Sequence, residues 1–120
     1  MGCACGDIDN DGDTDLYVSN FGNDVFYRND GDGTFTDVSD EVGINNPLWG
    51  CSVALFDMDN DGLLDIYTTN YVDYSIDNNP WCGIRRTELR DYCNPDFFIG
   101  VEDQLLKTLG NWKFDDVANV

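Results

Sequence analysis

Nine residues, Asp7-Ile8-Asp9-Asn10-Asp11-Gly12-Asp13-Thr14-Asp15, return fifty positions later as Asp57-Met58-Asp59-Asn60-Asp61-Gly62-Leu63-Leu64-Asp65. Each copy sets carboxylates at loop positions 1, 3, 5 and 9, with Gly at position 6. Two unit charges about 4 Å apart repel by roughly 1 kcal/mol in water and roughly 4 kcal/mol at an effective dielectric near 20. Four or five carboxylates within nine residues accumulate repulsion that a divalent cation removes. Ca²⁺ suits such a cage, because it takes roughly six to eight oxygens in irregular geometry. A solvated acidic turn accounts for one Asp-Asn-Asp-Gly but not for two copies in one register. The expectation is two Ca²⁺ sites.

The register extends beyond the loops. Tyr17 and Asn20 fall on Tyr67 and Asn70 at the same offset, and Ala4 falls on Ala54. Phe26-Tyr27-Arg28 then matches Leu105-Leu106-Lys107, and Phe35–Val38 matches Phe114–Val117, at an offset of 79. The second copy thus carries 29 extra residues, around 72–103. A period of roughly 40–50 residues is that of propeller blades. Runs rich in β-branched and aromatic residues at Leu16–Ser19, Val25–Arg28, Thr34–Val38, Cys51–Phe56 and Ile66–Thr69 predict four strands per unit, with Asn29–Gly33 as a hairpin turn. Ser39–Ile44 predicts one helical turn closed by Gly43. The fold expected is all-β: two four-stranded blades of a β-propeller, residues 1–46 and 47–120, each with a Ca²⁺-binding hairpin loop between its first two strands. Roughly four to eight blades close a propeller, so the remaining blades of the same propeller, in a larger protein, are expected partners.

Composition excludes several classes. With 24 acidic and 6 basic side chains, the formal net charge is −18. A nucleic-acid binder brings Lys and Arg to the phosphates, so nucleic acid is not an expected partner. No apolar run approaches the roughly 18 residues of a membrane span, so no membrane insertion is expected. Hydrophobic residues at 42% and aromatic residues at 13% separate the chain from acidic disordered sequences. Met1–Gly6 has no basic segment and lacks the Ser or Thr of a myristoylation pattern, so neither a signal peptide nor that anchor is read there. Cys82 and Cys93 would close a short loop in the insertion, and such bridges persist in oxidising compartments. Cys3, Cys5 and Cys51 lie in apolar runs and are expected as buried strand residues. No CxxC pair and no His exist to complete a zinc site.

An EF-hand opens with the same Asp-x-Asp-x-Asp-Gly but needs a bidentate Glu at position 12, between helices. Position 12 is Val18 or Thr68 here, inside β-prone runs. The expected ligands are therefore Asp7, Asp9, Asp11 and Asp15 with the main-chain carbonyl of Asp13, and Asp57, Asp59, Asp61 and Asp65 with that of Leu63. The exchange of Asp13 for Leu63 fits a main-chain role. Asn10 and Asn60 are expected to point outward. The turn Thr108–Trp112 has lost the acidic residues of Asn29–Gly33, and no metal is expected there.

Asp-x-Asp-x-Asp-Gly-x-x-Asp between strands resembles the FG-GAP (VCBS-type) repeats of integrin α-subunit propellers and of many bacterial secreted proteins. Gly6–Asn20, Tyr27–Val38 and the insertion's Trp81-Cys82-Gly83 and Asp91–Pro95 are similar to the cartilage acidic protein / ASPIC–UnbV group. The resemblance implies a non-catalytic adhesion or recognition scaffold, extracellular or periplasmic, with a protein or glycan ligand. The competing reading is the non-catalytic propeller part of a secreted polysaccharide-active enzyme, and a third is a structural spacer.

No catalytic residue is expected, and the chain is not read as an enzyme. It has no His, no Gly-x-Ser-x-Gly and no phosphate-cradling Gly loop. Paired carboxylates cleave glycosides in other proteins, but these stand at metal-ligand spacing. Trp49, beside a predicted strand, is expected in packing. Trp81, Tyr92, Phe97 and Phe98 in the insertion suit packing and a ligand platform equally. Arg85, Arg86 and Arg90 suit pairing with the acidic body or with an acidic partner, and the internal pairing is the one expected.

Overall fold

A computed structural model describes residues 1–118. β1 (Cys3–Gly6), β2 (Asp15–Asn20), β3 (Gly22–Asn29) and β4 (Phe35–Asp37) form one antiparallel sheet in that order. A short helix, α1 (Ser39–Val42), follows and ends at Gly43, whose φ of 75° closes it as expected. β5 (Gly50–Phe56) and β6 (Asp65–Asn70) begin the second sheet. The insertion contributes a small hairpin of β7 (Gly83–Ile84) and β8 (Leu89–Arg90), tied by a Cys82–Cys93 disulfide. β9 (Gln104–Thr108) and β10 (Phe114–Asp116) complete the second sheet, in the order β10-β9-β6-β5. The expected second repeat runs to residue 120, and residues 119 and 120 lie outside the described ones.

The fold is mostly β, as two blade-like sheets of four strands that do not close into a ring among the described residues. The radius of gyration is 17.5 Å. A compact chain of this length would give roughly 13–14 Å. The excess reflects two sheets placed as neighbouring blades, with a largely exposed insertion at residues 73–100.

Period-two alternation decides what lies between the sheets. β2 buries Asp15, Tyr17 and Ser19 while Leu16, Val18 and Asn20 stay half-covered. β3 buries Asp24 and Phe26 on the same side, and Ile66 and Leu106 answer from the second sheet. Ile8, Val38 and Ile44, from the connections, seal this core. Close approach has its own requirement at Gly50. A Cβ there would lie 2.8 Å from the Ser19 Cβ and 3.1 Å from Asp24 Oδ1, so only glycine brings β5 this near the first sheet.

The thiols depart from expectation. Cys3 and Cys5 are exposed and Cys51 is half-buried, although all three lie on strands. β1 is an edge strand, and its even-numbered positions face β5, with Gly6 against Leu55 and Leu64. Alternation then leaves Cys3 and Cys5 on the side that no other sheet covers. Ile8 and Met58 show the same asymmetry at equivalent loop positions. Ile8 is 1% exposed between the sheets, whereas Met58, beyond the second sheet, is 41% exposed.

A polar node, buried in the first sheet and half-buried in the second, repeats without having been read from the sequence. The Tyr17 hydroxyl donates to Asp24 Oδ2 (3.0 Å) and the Asn20 N–H donates to Asp24 Oδ1 (2.9 Å). In the second sheet the Tyr67 hydroxyl and the Asn70 N–H donate to Asp103 at 2.5 and 2.8 Å. Asn46 ties the nodes together, its amide donating to Asp24 Oδ2 (2.9 Å) and Asn70 Oδ1 (3.0 Å). Antiparallel connectivity puts these nodes at one end of the sheets and the acidic loops at the other.

Candidate metal centre

Both acidic loops follow the same backbone course. Asn10 and Asn60 have φ of 61° and 60°, and Gly12 and Gly62 have 97° and 87°. Glycine takes such values freely, and Asn is among the few other residues that tolerate them. Wrapping at positions 4 and 6 lets loop amides point at the loop's own carboxylates. Asp11 N–H donates to Asp7 (3.0 Å) and Asp9 (3.1 Å), Gly12 N–H to Asp7 (3.1 Å) and Asp13 N–H to Asp11 (2.8 Å). In the second loop Asp61 and Gly62 donate to Asp57 (3.1 and 2.9 Å) and Leu63 donates to Asp61 (2.9 Å).

The last carboxylate anchors each loop to its sheet. Asp15 and Asp65 are each 1% exposed. Asp15 accepts from the N–H of Ile8 (3.1 Å) and of Asn29 at the end of β3 (3.0 Å). Asp65 accepts from Met58 (2.9 Å) and from Thr108 at the end of β9 (2.8 Å). Thus one side chain fixes the loop, its hairpin and the neighbouring strand.

Carboxylate oxygens of Asp7, Asp9 and Asp15 lie within 4.8 Å of one another, and so do those of Asp57, Asp59 and Asp61. Ligands at roughly 2.3–2.6 Å from one Ca²⁺ fall within that spacing, so the donors fit the ion. Asp11 stands outside the first cluster, with one oxygen held by Asp13 N–H, and Asp65 stands outside the second. The Asp13 carboxylate turns towards Gly31. Leu63 lines a small cavity with Ile8 and Trp112, and its hydrocarbon side chain has no oxygen to offer the loop beyond the main-chain carbonyl. Burial, together with the neighbouring carboxylates, pushes the Asp9 and Asp15 carboxyls above their ordinary range, although backbone N–H donors oppose the rise.

Two side chains play parts that spacing alone did not reveal. Asn10, expected to point outward, donates its amide to the Gly62 carbonyl (3.1 Å) and bridges the two loops. The recurrence of Asn at position 4 was the available signal, since that position needs a residue tolerant of positive φ. Lys107 pairs with Asp59, and this partner holds the Asp59 carboxyl below its ordinary range. Arg28, its counterpart in the first sheet, pairs instead with Asp30 at 3.1 Å in the β3–β4 turn. The second loop therefore carries a competing cation that the first lacks. Lys107→Gln is expected to strengthen Ca²⁺ binding at the second loop roughly twofold to fivefold, the range of an exposed ion pair. Titration calorimetry showing unchanged or weaker binding would refute that competition.

The three insertion arginines do not pair with the acidic body. Among the described residues the ion pairs are Arg28–Asp30 and Lys107–Asp59. Arg85 instead lies over the Trp81 ring, 5.5 Å from its centroid. Trp49 packs as expected, edge-on to Phe21 and Tyr71.

A family model described as FG-GAP-like repeat matches residues 7–68, a span that includes both acidic loops. No curated protein matches the chain.

Proposed function

The chain belongs to the FG-GAP-like repeat family, and from that premise we propose that it supplies two blades, residues 1–46 and 47–120, of a calcium-stabilised β-propeller acting as a non-catalytic recognition scaffold outside the cytosol. The observation that carries this reading is that three carboxylates in each loop converge on an ion-sized space of their own. Asp7, Asp9, Asp11 and Asp15 with the Asp13 carbonyl would hold one Ca²⁺. Asp57, Asp59, Asp61 and Asp65 with the Leu63 carbonyl would hold the other. The ion supplies charge neutralisation and a fixed bend between strands; no bond-making step is assigned to it.

The Cys82–Cys93 disulfide supports an oxidising compartment. No helix among the described residues is long and apolar enough to cross a membrane. The uncovered faces of the two sheets suit the remaining blades of the same propeller, which would pack there as these two pack on each other. Within the family, the insertion's Trp81–Gly83 and Asp91–Pro95 favour the cartilage acidic protein / ASPIC–UnbV grouping.

Calorimetric melting tests the calcium reading. Saturation at about a hundred times the dissociation constant should stabilise the folded chain by about 2.7 kcal/mol per site. Asp11→Ala combined with Asp61→Ala should abolish the gain. A melting temperature indifferent to Ca²⁺ in the unaltered protein, or an unchanged gain in the double variant, contradicts the ligand assignment.

A further inference from the structure

At the end of the sheets opposite the acidic loops lies a cavity of about 660 Å³ between the blade body and the insertion. That size sits inside the roughly 300–1,000 Å³ range of small-ligand sites. One wall is aromatic. Trp49 is 5.5 Å from Tyr71 and 5.4 Å from Tyr74, whose ring lies 6.0 Å from Phe98. These contacts hold the rings rigidly, so presenting them costs little order on binding. The other wall comes from the disulfide-tied segment and contributes Arg90 and Tyr92. Tyr92 is 97% exposed, an aromatic ring with almost no cover of its own.

Arg90 is the cation on the cavity wall, and the Asp91 carboxylate stands next to it in the chain, so the guanidinium's free donors and the rings, rather than net charge, select the guest. The chain has 24 acidic side chains, yet Arg85, Arg86 and Arg90 make no ion pair among the described residues. The Arg90 guanidinium is oriented by donating Nη2–H to the Pro80 carbonyl (3.3 Å), which leaves its other N–H groups free at the cavity wall. A guanidinium so held matches a carboxylate. The acidic loops do not override it. A six-residue strand spans roughly 20 Å, more than two Debye lengths of about 8 Å at physiological salt. Aromatic faces carry partial negative charge and accept the polarised C–H face of a pyranose ring. Asn79 and Asp91, on the same walls, offer donors and acceptors for hydroxyl groups. An acidic peptide would satisfy the arginine but not use the ring wall in this way.

We propose that this cavity binds an acidic oligosaccharide, a uronate-bearing chain whose rings lie on the Trp49–Tyr74 wall and Tyr92 and whose carboxylate meets Arg90. The inference deepens the recognition-scaffold reading and rests on it.

Titration calorimetry on the full chain, at fixed saturating Ca²⁺, provides the test. The probes are tetragalacturonate, its methyl ester as uncharged control, and hexaglutamate as the acidic-peptide probe. Tetragalacturonate should bind, and the ester, Arg90→Gln and Tyr92→Ala should each weaken binding about tenfold or more. Both substituted side chains are exposed, so the variants should fold. Absence of tetragalacturonate binding, affinity unchanged from the unaltered protein in either variant, or equal binding of hexaglutamate overturns the proposal. The calcium-induced melting shift, recorded on the same samples, separates the two readings. A normal shift without sugar binding sinks this inference alone, whereas an absent shift sinks the calcium scaffold itself.

Discussion

Phe26→Ala should destabilise the folded chain by about 3–5 kcal/mol, the usual cost of deleting a buried phenyl ring. Phe26 is wholly buried, and its position explains why the upper part of that range applies. Its ring stands 6.0 Å from Tyr17 in its own sheet, and 5.4 and 6.1 Å from Trp112 and Phe114 in the other. No single strand can collapse into the hole, because the lining belongs to two sheets with separate hydrogen-bond ladders. Loss should also fall on the contact between blades, with each sheet keeping its own backbone pairing. Thermal melting with Ca²⁺ present measures the change, expected at roughly 10 °C or more. A shift of a degree or two would mean that the sheets do not share this core. Phe26→Leu should recover much of the loss, since volume is largely restored.

The second large effect is expected at Asp24. Asp24→Ala strips the acceptor from the buried Tyr17 hydroxyl and from the Asn20 N–H, and removes one of two acceptors from Asn46. Each orphaned buried donor costs about 1–3 kcal/mol, so a total of about 2–5 kcal/mol is expected. Asp24→Asn separates hydrogen bonding from charge. Its amide oxygen can still serve the Asn20 N–H, and the Tyr17 hydroxyl can turn to accept, but an amide nitrogen now meets the Asn46 amide donor. A loss of about 1–3 kcal/mol follows, smaller than for alanine. Burial already pushes the Asp24 carboxyl above its ordinary range, so removing the charge is not itself the main cost. Denaturant titration of both variants decides the matter. Equal losses would show that charge, rather than donor satisfaction, dominates the node.

Much of the architecture was legible because repeats and alternation are local. Tyr17 on Tyr67 and Asn20 on Asn70 set the offset, and the jump to 79 located the insertion that carries the disulfide. The helical turn at Ser39–Val42 was readable from Gly43, whose lack of a Cβ permits the left-handed closure. Asp24 and Asp103 also stand 79 apart, but a lone Asp in an acidic chain carries no mark of burial. Only the fold shows each receiving a tyrosine hydroxyl. The cysteines failed for a related reason. Apolar neighbours place them on strands, yet exposure depends on which face another sheet covers, and that is decided far along the chain.

The chemistry of the acidic loops belongs to the sequence, because the spacing of carboxylate, asparagine and glycine over nine residues determines where a short loop can aim its oxygens. Tertiary structure alone decided three other matters: that Asn10 reaches the other loop, that Lys107 competes at one site and not at its twin, and that Arg90 faces an aromatic wall. Each joins surfaces whose separation is set by how two sheets and an insertion pack. No local pattern encodes such a distance, since it results from the summed burial of residues far apart in the chain.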